Sequence, residues 1–359
     1  MRKLKVGILG QGRSGRNIHA ASLERPGLRE RFVIAAVADR EPERCRESVA
    51  GNPGCRMSGD YRELLAMNDL DLMINALPSH AHVPVSIAAL QAGHHVLCEK
   101  PLTRFPEEMA ELKAAIAASG RFFAVFQQSR FAPTFRRVQS VIASGVLGRI
   151  MTVKLAFTGF GRRWDWQTLQ EYGGGNLVNT GPHPIDQALQ LYGDAMPEEI
   201  FCRLDNANSL GGAEDHVKLL LSGKGHPAVD IEISNASLFD PYVYLVYGTH
   251  GTLWGNHRDI EWRYFDPQEA PAHAVIAEPM PERSYCSENL SFYSEKWSSS
   301  EEGMSFNSRV EKFYLNLYDA MTGKAPLEVT LPQVERQVAL FAECYRQNPE
   351  FGHWRSFEE

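Results

Sequence analysis

The stretch LKVGILGQGRSG, residues 4–15, joins a short apolar run to a turn that contains three spaced glycines. The apolar run is rich in branched side chains and is typical of a buried strand. Gly10, Gly12 and Gly15 have the G-x-G-x-x-G spacing that occurs where a strand turns sharply into a helix. The stretch therefore predicts the first strand–turn–helix unit of an α/β domain.

The same alternation of apolar runs and helical periods continues to residue 125. Further strands are predicted at residues 33–38, 70–77 and 95–99, and helices at residues 14–24, 40–48, 83–92 and 106–118. A strand, a helix and a strand in succession require right-handed crossovers, which produce a parallel sheet with helices on both faces. Residues 1–125 are therefore predicted to form a doubly wound α/β domain.

The pattern changes after residue 125, where strand-like runs follow one another with less helix between them. Strands are predicted at residues 150–157, 216–221, 229–233 and 243–247, and helices at residues 134–144, 309–321 and 332–346. Residues 268–308 have poor periodicity and are predicted to be a long surface loop. Residues 126–359 are therefore predicted to form an α+β domain with a mostly antiparallel sheet. Two domains suit a chain of 359 residues at about 150 residues per domain.

The composition argues against several classes of protein. The chain has 37 Lys and Arg against 44 Asp and Glu, and no basic patch, which argues against nucleic-acid binding. The longest apolar run, residues 32–38, is far shorter than the roughly 20 residues that cross a bilayer. Polar residues interrupt the N-terminal apolar stretch, so no secretory signal is expected. The six cysteines are scattered without a CxxC pair, which favours free thiols in a reducing cytoplasm over disulfides or a metal site.

The glycine turn predicts a dinucleotide-binding site. Gly10 permits the tight turn, Gly12 lets the backbone approach a pyrophosphate, and Gly15 allows close helix packing. Because a helix N-terminus presents unpaired N–H groups to an anion, the whole turn is assigned to cofactor binding: Gly10, Gln11, Gly12, Arg13, Ser14 and Gly15. The alternative is a turn without a ligand, since three glycines at these offsets are a weak signal by themselves.

The end of the predicted second strand bears on which dinucleotide binds. Asp39 stands where a carboxylate can accept hydrogen bonds from the hydroxyls of the adenosine ribose. A carboxylate there repels a 2′-phosphate, so NAD is favoured over NADP. Arg40 weakens this preference, because an arginine at this place can cover a 2′-phosphate.

Two further residues are candidates for chemistry. Lys100 follows a predicted parallel strand, and ligands bind beyond the carboxyl ends of such strands. His183 precedes Pro184, which fits the first position of a helix, so His183 is predicted near the helix N-cap. The positive end of the helix dipole disfavours imidazolium there and leaves a neutral ring that can accept a proton. The alternative is a histidine that only caps the helix.

Three motifs, together with the glycine turn, resemble a known family. They are LPSHAH at residues 77–82, EKP at residues 99–101 and GGGNLVNTGPHPID at residues 173–186. This combination resembles the Gfo/Idh/MocA family of nicotinamide-dependent sugar and polyol oxidoreductases. The resemblance covers nearly the whole chain and implies an N-terminal Rossmann domain followed by a domain with an open, largely antiparallel sheet.

The resemblance also implies roles for individual residues. The lysine of the family's E-K-P motif matches Lys100, its catalytic histidine matches His183, and the second acidic residue of its last motif matches Asp186. Many members have an aspartate where this chain has Asn179, which can orient a hydroxyl or Lys100 but carries no charge. Asn179 is assigned to catalysis with Lys100 and His183, and Asn179 and Asp186 are assigned to the substrate. Five residues of the other motifs are assigned to the cofactor: Leu77, Pro78, His82, Glu99 and Lys100.

The segment from Arg163 to Trp166 is a candidate for substrate binding. Trp164 and Trp166 offer apolar faces, and Arg163 and Asp165 offer hydrogen-bonding groups, a combination that suits a sugar. The same residues equally suit a subunit interface or the packed edge of a sheet, and the sequence does not separate these possibilities.

The sequence therefore predicts a cytoplasmic NAD(H)-dependent dehydrogenase or reductase that acts on a hydroxyl or ketone of a sugar, inositol or sugar derivative. His183 serves as acid and base while Lys100 orients the oxygen. An NAD-retaining hydrolase or epimerase and a non-catalytic nucleotide sensor are the alternatives, and the presence of both Lys100 and His183 counts against the sensor. The resemblance implies a homodimer or homotetramer, because an open sheet needs a cover.

Overall fold

The computed structural model describes residues 2–240, 242–280 and 285–353. In these ranges, six parallel strands form the first sheet, in the order β3-β2-β1-β4-β5-β6. They are β1 (Leu4–Leu9), β2 (Phe32–Ala38), β3 (Arg56–Ser58), β4 (Leu72–Asn75), β5 (His95–Cys98) and β6 (Phe123–Val125). The strand order reverses beside β1, as in a doubly wound Rossmann sheet, so the predicted fold class is confirmed.

Helices connect these strands and begin where the sequence provides start signals. The helices are α1 (Ala21–Leu23), which continues a π-helical segment Arg13–Ala20, then α2 (Pro26–Arg29), α3 (Pro42–Gly51), α4 (Tyr61–Leu65), α5 (His82–Gln91) and α6 (Pro106–Ser119). Proline lies in the first turn of α2, α3 and α6, where its missing N–H costs no helical hydrogen bond. α6 ends at Gly120, whose φ of 62° is left-handed and favours glycine.

The second sheet has eight strands within the described ranges, in the order β14-β13-β12-β11-β7-β10-β9-β8. They are β7 (Ile150–Thr158), β8 (Glu199–Asp205), β9 (His216–Ser222), β10 (Ala228–Ser234), β11 (Tyr244–Gly248), β12 (Gly251–Gly255), β13 (Asp259–Tyr264) and β14 (Tyr293–Ser298). Strands β7 and β10 pair in parallel and the other neighbours are antiparallel. The predicted mostly antiparallel sheet is therefore confirmed.

Helices cover one face of this second sheet. They include α7 (Pro133–Ala143), α8 (Asn176–Asn179) and α9 (Pro182–Tyr192), and α9 packs directly on β7 and β10. Alternate residues of β9, such as Val217 and Leu219, are buried beneath the helices. Across the described part of the chain, no helix combines the length and the apolar character that a membrane span requires.

The prediction of a surface loop over residues 268–308 is wrong at its C-terminal end. This region contains β14, α10 (Glu301–Met304) and the first turn of α11 (Phe306–Met321). β14 is an edge strand whose side chains are almost all exposed, so it lacks the alternation of apolar and polar residues that reveals a strand. Backbone pairing with β13, rather than burial of its side chains, keeps β14 in the sheet.

The last two helices join the two parts of the molecule. Val310, Phe313 and Leu317 of α11 are buried in the same core as the first sheet. α12 (Leu331–Gln347) contributes Val338 to that core and Phe341 to the core of the second sheet. We propose that the two domains divide at residue 125. The later helix α11 returns to pack on the N-terminal sheet.

Candidate active site

The glycine turn after β1 combines tight packing with one open backbone position. A Cβ atom on Gly10, whose φ is +88°, would lie 2.8 Å from the carbonyl oxygen of Ala76. A Cβ on Gly15 would lie only 1.8 Å from the carbonyl oxygen of Gly10, so the helix could not approach the strand. A Cβ on Gly12 would contact nothing within 4 Å. The turn therefore leaves its backbone open at Gly12, where the start of a helix favours an anionic group such as pyrophosphate.

Asp39 holds this turn from the end of β2. Its carboxylate accepts hydrogen bonds from the backbone N–H groups of Gln11, at 2.8 Å, and Glu41, at 2.9 Å. Each carboxylate oxygen keeps a further lone pair that can accept a ribose hydroxyl. Arg40 is exposed beside it. Asp39 therefore shapes the turn as well as offering acceptors to a cofactor, and the first of these roles was not predicted.

His82 ties together the segments that follow β4 and β5. Its Nδ1 lies 2.6 Å from the carbonyl oxygen of Pro101, and its Nε2 lies 2.9 Å from that of Leu77. The imidazole is buried, and burial lowers its pKa. A neutral imidazole has one N–H, so His82 donates to only one of these two carbonyl oxygens while its ring lies against the other.

Glu99 lies in a buried chain of hydrogen bonds that ends at the backbone of Lys100. One carboxylate oxygen lies 3.1 Å from Nε2 of His19, and the other accepts the N–H of Lys100 at 3.0 Å. Nδ1 of His19 lies 2.6 Å from the hydroxyl of Tyr314 on α11. Burial opposes ionisation of Glu99, but the hydrogen bond from His19 and the neighbouring cations lower its pKa to about 2. A C-terminal helix therefore reaches Lys100 through two buried side chains.

Lys100 meets the second part of the chain at Asn179, the last residue of α8. The Nζ of Lys100 donates a 2.7 Å hydrogen bond to the backbone carbonyl oxygen of Asn179. Burial lowers the pKa of Lys100, and Glu99 opposes this effect. The side-chain amide of Asn179 instead exchanges two long hydrogen bonds, each 3.4 Å, with the amide of Gln167. The sequence predicts that the Asn179 side chain orients a hydroxyl or Lys100, whereas the contact with Lys100 in the structure is made by the Asn179 backbone.

His183 lies inside the first turn of α9, because Gly181 rather than His183 occupies the N-cap position. Its Nδ1 lies 3.1 Å from the hydroxyl oxygen of Ser129. Burial and the positive charge of Lys100 lower the pKa of His183 to about 3. The neutral imidazole that the sequence predicted is therefore the form present at neutral pH, and a nearby cation contributes to it.

Asp186 is engaged within the protein. It lies one turn after His183 on α9 and is 3% exposed. Both carboxylate oxygens accept hydrogen bonds from the guanidinium of Arg130, one of them at 2.7 Å. Arg130 also donates to the backbone carbonyl of Glu328. Asp186 thus anchors α9 to the segment that carries Ser129, and the structure does not bring it to the cavity beside His183.

The segment from Arg163 to Trp166 lies at the surface. Trp164 is 76% exposed and Trp166 is 45% exposed, so neither ring packs into a sheet edge of this subunit. Arg163 forms an ion pair with Asp165 and donates to the side-chain oxygen of Gln167, which in turn faces Asn179. The sugar and subunit-interface hypotheses remain for both tryptophans.

A cavity of about 380 Å³ opens beside His183 on the side of the second sheet. Sequence reasoning missed most of its wall, because the residues come from separate elements and none belongs to a motif. The polar ones, apart from His183, include Gln128, Ser129, Gln187, Tyr244, His257 and Arg309. Gln187 connects two of them, since it donates to the backbone carbonyl of Ser129 and accepts from the hydroxyl of Tyr244.

Comparison with known proteins agrees with this fold. Residues 4–127 match the oxidoreductase family with an NAD-binding Rossmann fold, and residues 135–254 match the GFO/IDH/MocA C-terminal domain. The chain belongs to the Gfo/Idh/MocA family of oxidoreductases, and its N-terminal part is an NAD-binding Rossmann domain. The resemblance carried by the sequence motifs is confirmed.

Individual relatives are of moderate similarity. An uncharacterized oxidoreductase of Schizosaccharomyces pombe is 28% identical over 285 residues, which cover 76% of this chain and 74% of that protein. The scyllo-inositol 2-dehydrogenase (NADP(+)) of Bacillus subtilis is 28% identical over 211 residues, 58% of this chain and 57% of that protein. Among solved structures, the WlbA dehydrogenase from Bordetella pertussis, in complex with NADH and UDP-GlcNAcA, is 22% identical with a TM-score of 0.77 over 97% of this chain and 96% of that one. That similarity shows a shared fold.

Proposed function

We propose that the protein is an NAD(H)-dependent dehydrogenase or reductase that acts on a hydroxyl or ketone of a sugar, inositol or sugar derivative. The observation that supports this most directly is the meeting of Lys100 and His183 from different parts of the chain. Lys100 contacts α8 at Asn179, and its charge contributes to the low pKa of His183 on the next helix. A relative named as an inositol dehydrogenase favours a polyol or sugar as substrate.

The residues around the glycine turn fit NAD. The open backbone at Gly12 suits its pyrophosphate, and the free lone pairs of Asp39 suit its adenosine ribose. Leu77 and Pro78 lie beyond β4, at the carboxyl edge of the sheet where such ligands bind. When bound, NAD supplies the hydride acceptor at the nicotinamide, and the chain's own residues handle the proton.

His183 and Lys100 divide the work on the substrate oxygen. With Nδ1–H donating to the hydroxyl oxygen of Ser129, Nε2 of His183 carries a free lone pair that accepts the hydroxyl proton during oxidation. The ammonium of Lys100 donates a hydrogen bond to the same oxygen and stabilises negative charge as the proton leaves. In the reductive direction, His183 returns the proton to the carbonyl oxygen.

The test is a panel of inositols, polyols and aldoses mixed with the purified protein and NAD, followed by absorbance of NADH. Stoichiometric NADH accumulation is expected with at least one member of the panel. His183→Ala should lower kcat on that substrate by about 10²- to 10⁴-fold with NADH binding retained. Near-wild-type turnover in His183→Ala would remove the proposed role of this residue.

The same panel separates the proposal from a catalyst that retains its cofactor. A hydrolase or epimerase changes its substrate without net NADH, which product analysis by chromatography detects. A nucleotide sensor binds NADH and changes no substrate. Either of these results, in place of NADH accumulation, contradicts the proposed function.

We also propose a cellular location, an oligomeric state and a class of partner for the enzyme. We place it in the cytoplasm as a homodimer or homotetramer that takes a small sugar or polyol and binds neither nucleic acid nor membrane. The described cysteines are all free, and five of the six are buried, which agrees with a reducing compartment.

A further inference from the structure

Arg309 is a cation in the cavity beside His183, and no carboxylate of the described residues raises its pKa. It lies in the first turns of α11 and lines the cavity wall. Within the described ranges, no carboxylate lines this cavity, and the Nε of Arg309 is buried without a hydrogen-bond partner. Its guanidinium carbon lies 5.8 Å from the ring centre of Phe306, a weak cation–π contact that does not neutralise it.

The neighbours of Arg309 leave its charge uncompensated. Burial and the charge of Arg309 lower the pKa of His257, while Asp240 opposes this, so His257 is neutral at neutral pH. Burial raises the pKa of Tyr244, whose hydroxyl stays protonated and donates to Gln187 at 2.8 Å. His183 is neutral as well. The described wall of the cavity therefore carries one full positive charge. A ligand that displaces water from this arginine leaves a buried cation unpaired unless the ligand itself carries a negative charge.

Gln128 provides a second unmet polar group on the same wall. Its side-chain oxygen is buried without a hydrogen-bond partner, although most buried polar side-chain atoms in proteins are paired. A hydroxyl group of a bound molecule would satisfy it. A ligand with an anionic group and hydroxyl groups therefore suits both residues, because the anion pairs with Arg309 and a hydroxyl donates to the side-chain oxygen of Gln128.

We propose that Arg309 binds a carboxylate of the substrate, so that the enzyme acts on a sugar acid such as a uronate or an aldonate. This inference rests on the proposed function of the site. A planar guanidinium matches a carboxylate with two parallel N–H···O bonds. A single cation balances a single negative charge, which favours a carboxylate over a dianionic phosphate. A cavity of about 380 Å³ is in the range that accepts a small ligand of this kind.

The experiment compares matched pairs of acidic and neutral substrates. Glucuronate with glucose, galacturonate with galactose, and gluconate with sorbitol are each assayed with NAD, and glucose 6-phosphate serves as the phosphate probe. The acid of at least one pair should have a kcat/KM at least tenfold above that of its neutral partner. Arg309→Met should lower this acid-to-neutral ratio by about 100-fold, the loss expected for a charged hydrogen bond, and Arg309→Lys should lower it less.

Arg137→Met is the matched control. Arg137 is a half-buried arginine whose guanidinium carbon lies 5.1 Å from the ring centre of Trp297, and it does not line the cavity. The Arg137→Met variant should keep the wild-type ratio of kcat/KM for the acid to kcat/KM for the neutral sugar. Melting temperatures of the three variants show that each is folded when the ratio is measured.

The outcomes separate this inference from the proposed function. Turnover of neutral sugars with a ratio that Arg309→Met does not change overturns the inference and still supports a dehydrogenase. Preference for the phosphate also overturns it. If no sugar is oxidised, calorimetric titration of the NAD-bound protein with glucuronate and galacturonate decides the matter. Arg309-dependent binding then supports the inference although the proposed reaction has failed, and absence of such binding overturns it.

Discussion

At the scale of single residues, the chemistry depends on which groups carry charge when the site is assembled. Burial lowers the pKa of Lys100 and the adjacent Glu99 opposes this, while the positive charge of Lys100 helps to lower the pKa of His183. With Lys100 protonated, the pair consists of one charged donor and one neutral acceptor. This is the combination that oxidation of an alcohol requires, since the oxygen needs a donor and its proton needs a base.

The pH profile of oxidation should reflect this arrangement. Because the neutral form of His183 is the active base and its pKa is lowered to about 3, the acid limb of kcat/KM should lie well below pH 6.5. Removing the neighbouring charge in Lys100→Met should raise the pKa of His183, so the acid limb of the residual activity should move to higher pH. The measurement is kcat/KM for oxidation against pH.

Lys113→Met is the control for that profile. Lys113 lies at the surface, where it pairs with Glu335, and it does not line the cavity. Its loss should leave the acid limb unchanged. A limb that stays in place or moves to lower pH in Lys100→Met contradicts the assignment of Lys100 and His183 to one site.

Asp39 provides a second prediction at the residue scale. Asp39→Ser removes the charge that repels a 2′-phosphate and leaves Arg40 free to meet it, so the preference for NAD over NADP should fall by about 10- to 100-fold. Asp39→Asn keeps an oxygen that can accept a backbone hydrogen bond, and it shows how much of the change comes from the turn rather than the charge. A wild-type enzyme with the higher kcat/KM for NADP would overturn the prediction.

At the scale of elements, α11 contributes to the site in a way that its sequence does not predict. Its apolar residues follow a helical period and predict a helix that packs on a core. They do not predict that Tyr314 reaches His19, which is 295 residues away along the chain. That contact exists because α11 returns to the N-terminal sheet, and it extends the site to a helix that carries Arg309 as well.

Removing the hydroxyl of Tyr314 tests whether this contact positions Lys100. In the tautomer whose Nε2–H donates to the Glu99 carboxylate, Nδ1 of His19 accepts the hydroxyl of Tyr314, which burial keeps protonated. Tyr314→Phe leaves a buried acceptor on His19 unpaired, which costs about 1–3 kcal/mol of stability and loosens Glu99 against the Lys100 backbone. We expect kcat to fall by about tenfold, with the KM for NAD nearly unchanged.

Tyr318→Phe is a close control on the same helix. Tyr318 is also buried, and its hydroxyl donates to the backbone carbonyl of Arg2, away from the site. It should lower the melting temperature by a similar amount while leaving kcat at the wild-type value. Equal losses of kcat in the two variants would show that Tyr314 acts only through stability.

At the scale of the whole molecule, no helix of the described residues covers the second face of the second sheet. Pairing in register places Phe201 of β8 opposite Leu220 of β9, and Leu245 of β11 opposite Trp254 of β12. Phe201 is 54% exposed and Leu220 is 41% exposed. Large apolar side chains on an open sheet favour a partner that covers them, which agrees with the predicted homo-oligomer.

A charge on this face tests the prediction of an oligomer. Leu220→Glu should shift the wild-type oligomer toward monomer, because a carboxylate buried between subunits without a partner is costly. Sedimentation velocity over a range of concentrations measures the shift. Lys224→Glu, in the turn between β9 and β10, should not change the distribution. A wild-type chain that sediments as a monomer at high concentration contradicts the prediction.

The sequence by itself determined the elements whose signals are local. A glycine turn after an apolar run, prolines at helix starts and the alternation of strand and helix predict the first sheet, because each depends on neighbours within a few residues. Lys100 and His183 were found from their places after a strand and before a proline, together with the resemblance of their motifs to a known family. The edge strand β14 was not, since its exposed side chains carry no period.

The tertiary structure alone decided what surrounds those two residues. Three features join residues from distant parts of the chain. Asp186 pairs with Arg130, a chain of hydrogen bonds runs from Tyr314 to Glu99, and Arg309 lies beside His183. Such contacts depend on how helices pack across two cores, and packing leaves no periodic mark on the sequence. The reaction class is therefore visible in the motifs, whereas the position of the Arg309 charge in the cavity beside His183 is visible only in the fold.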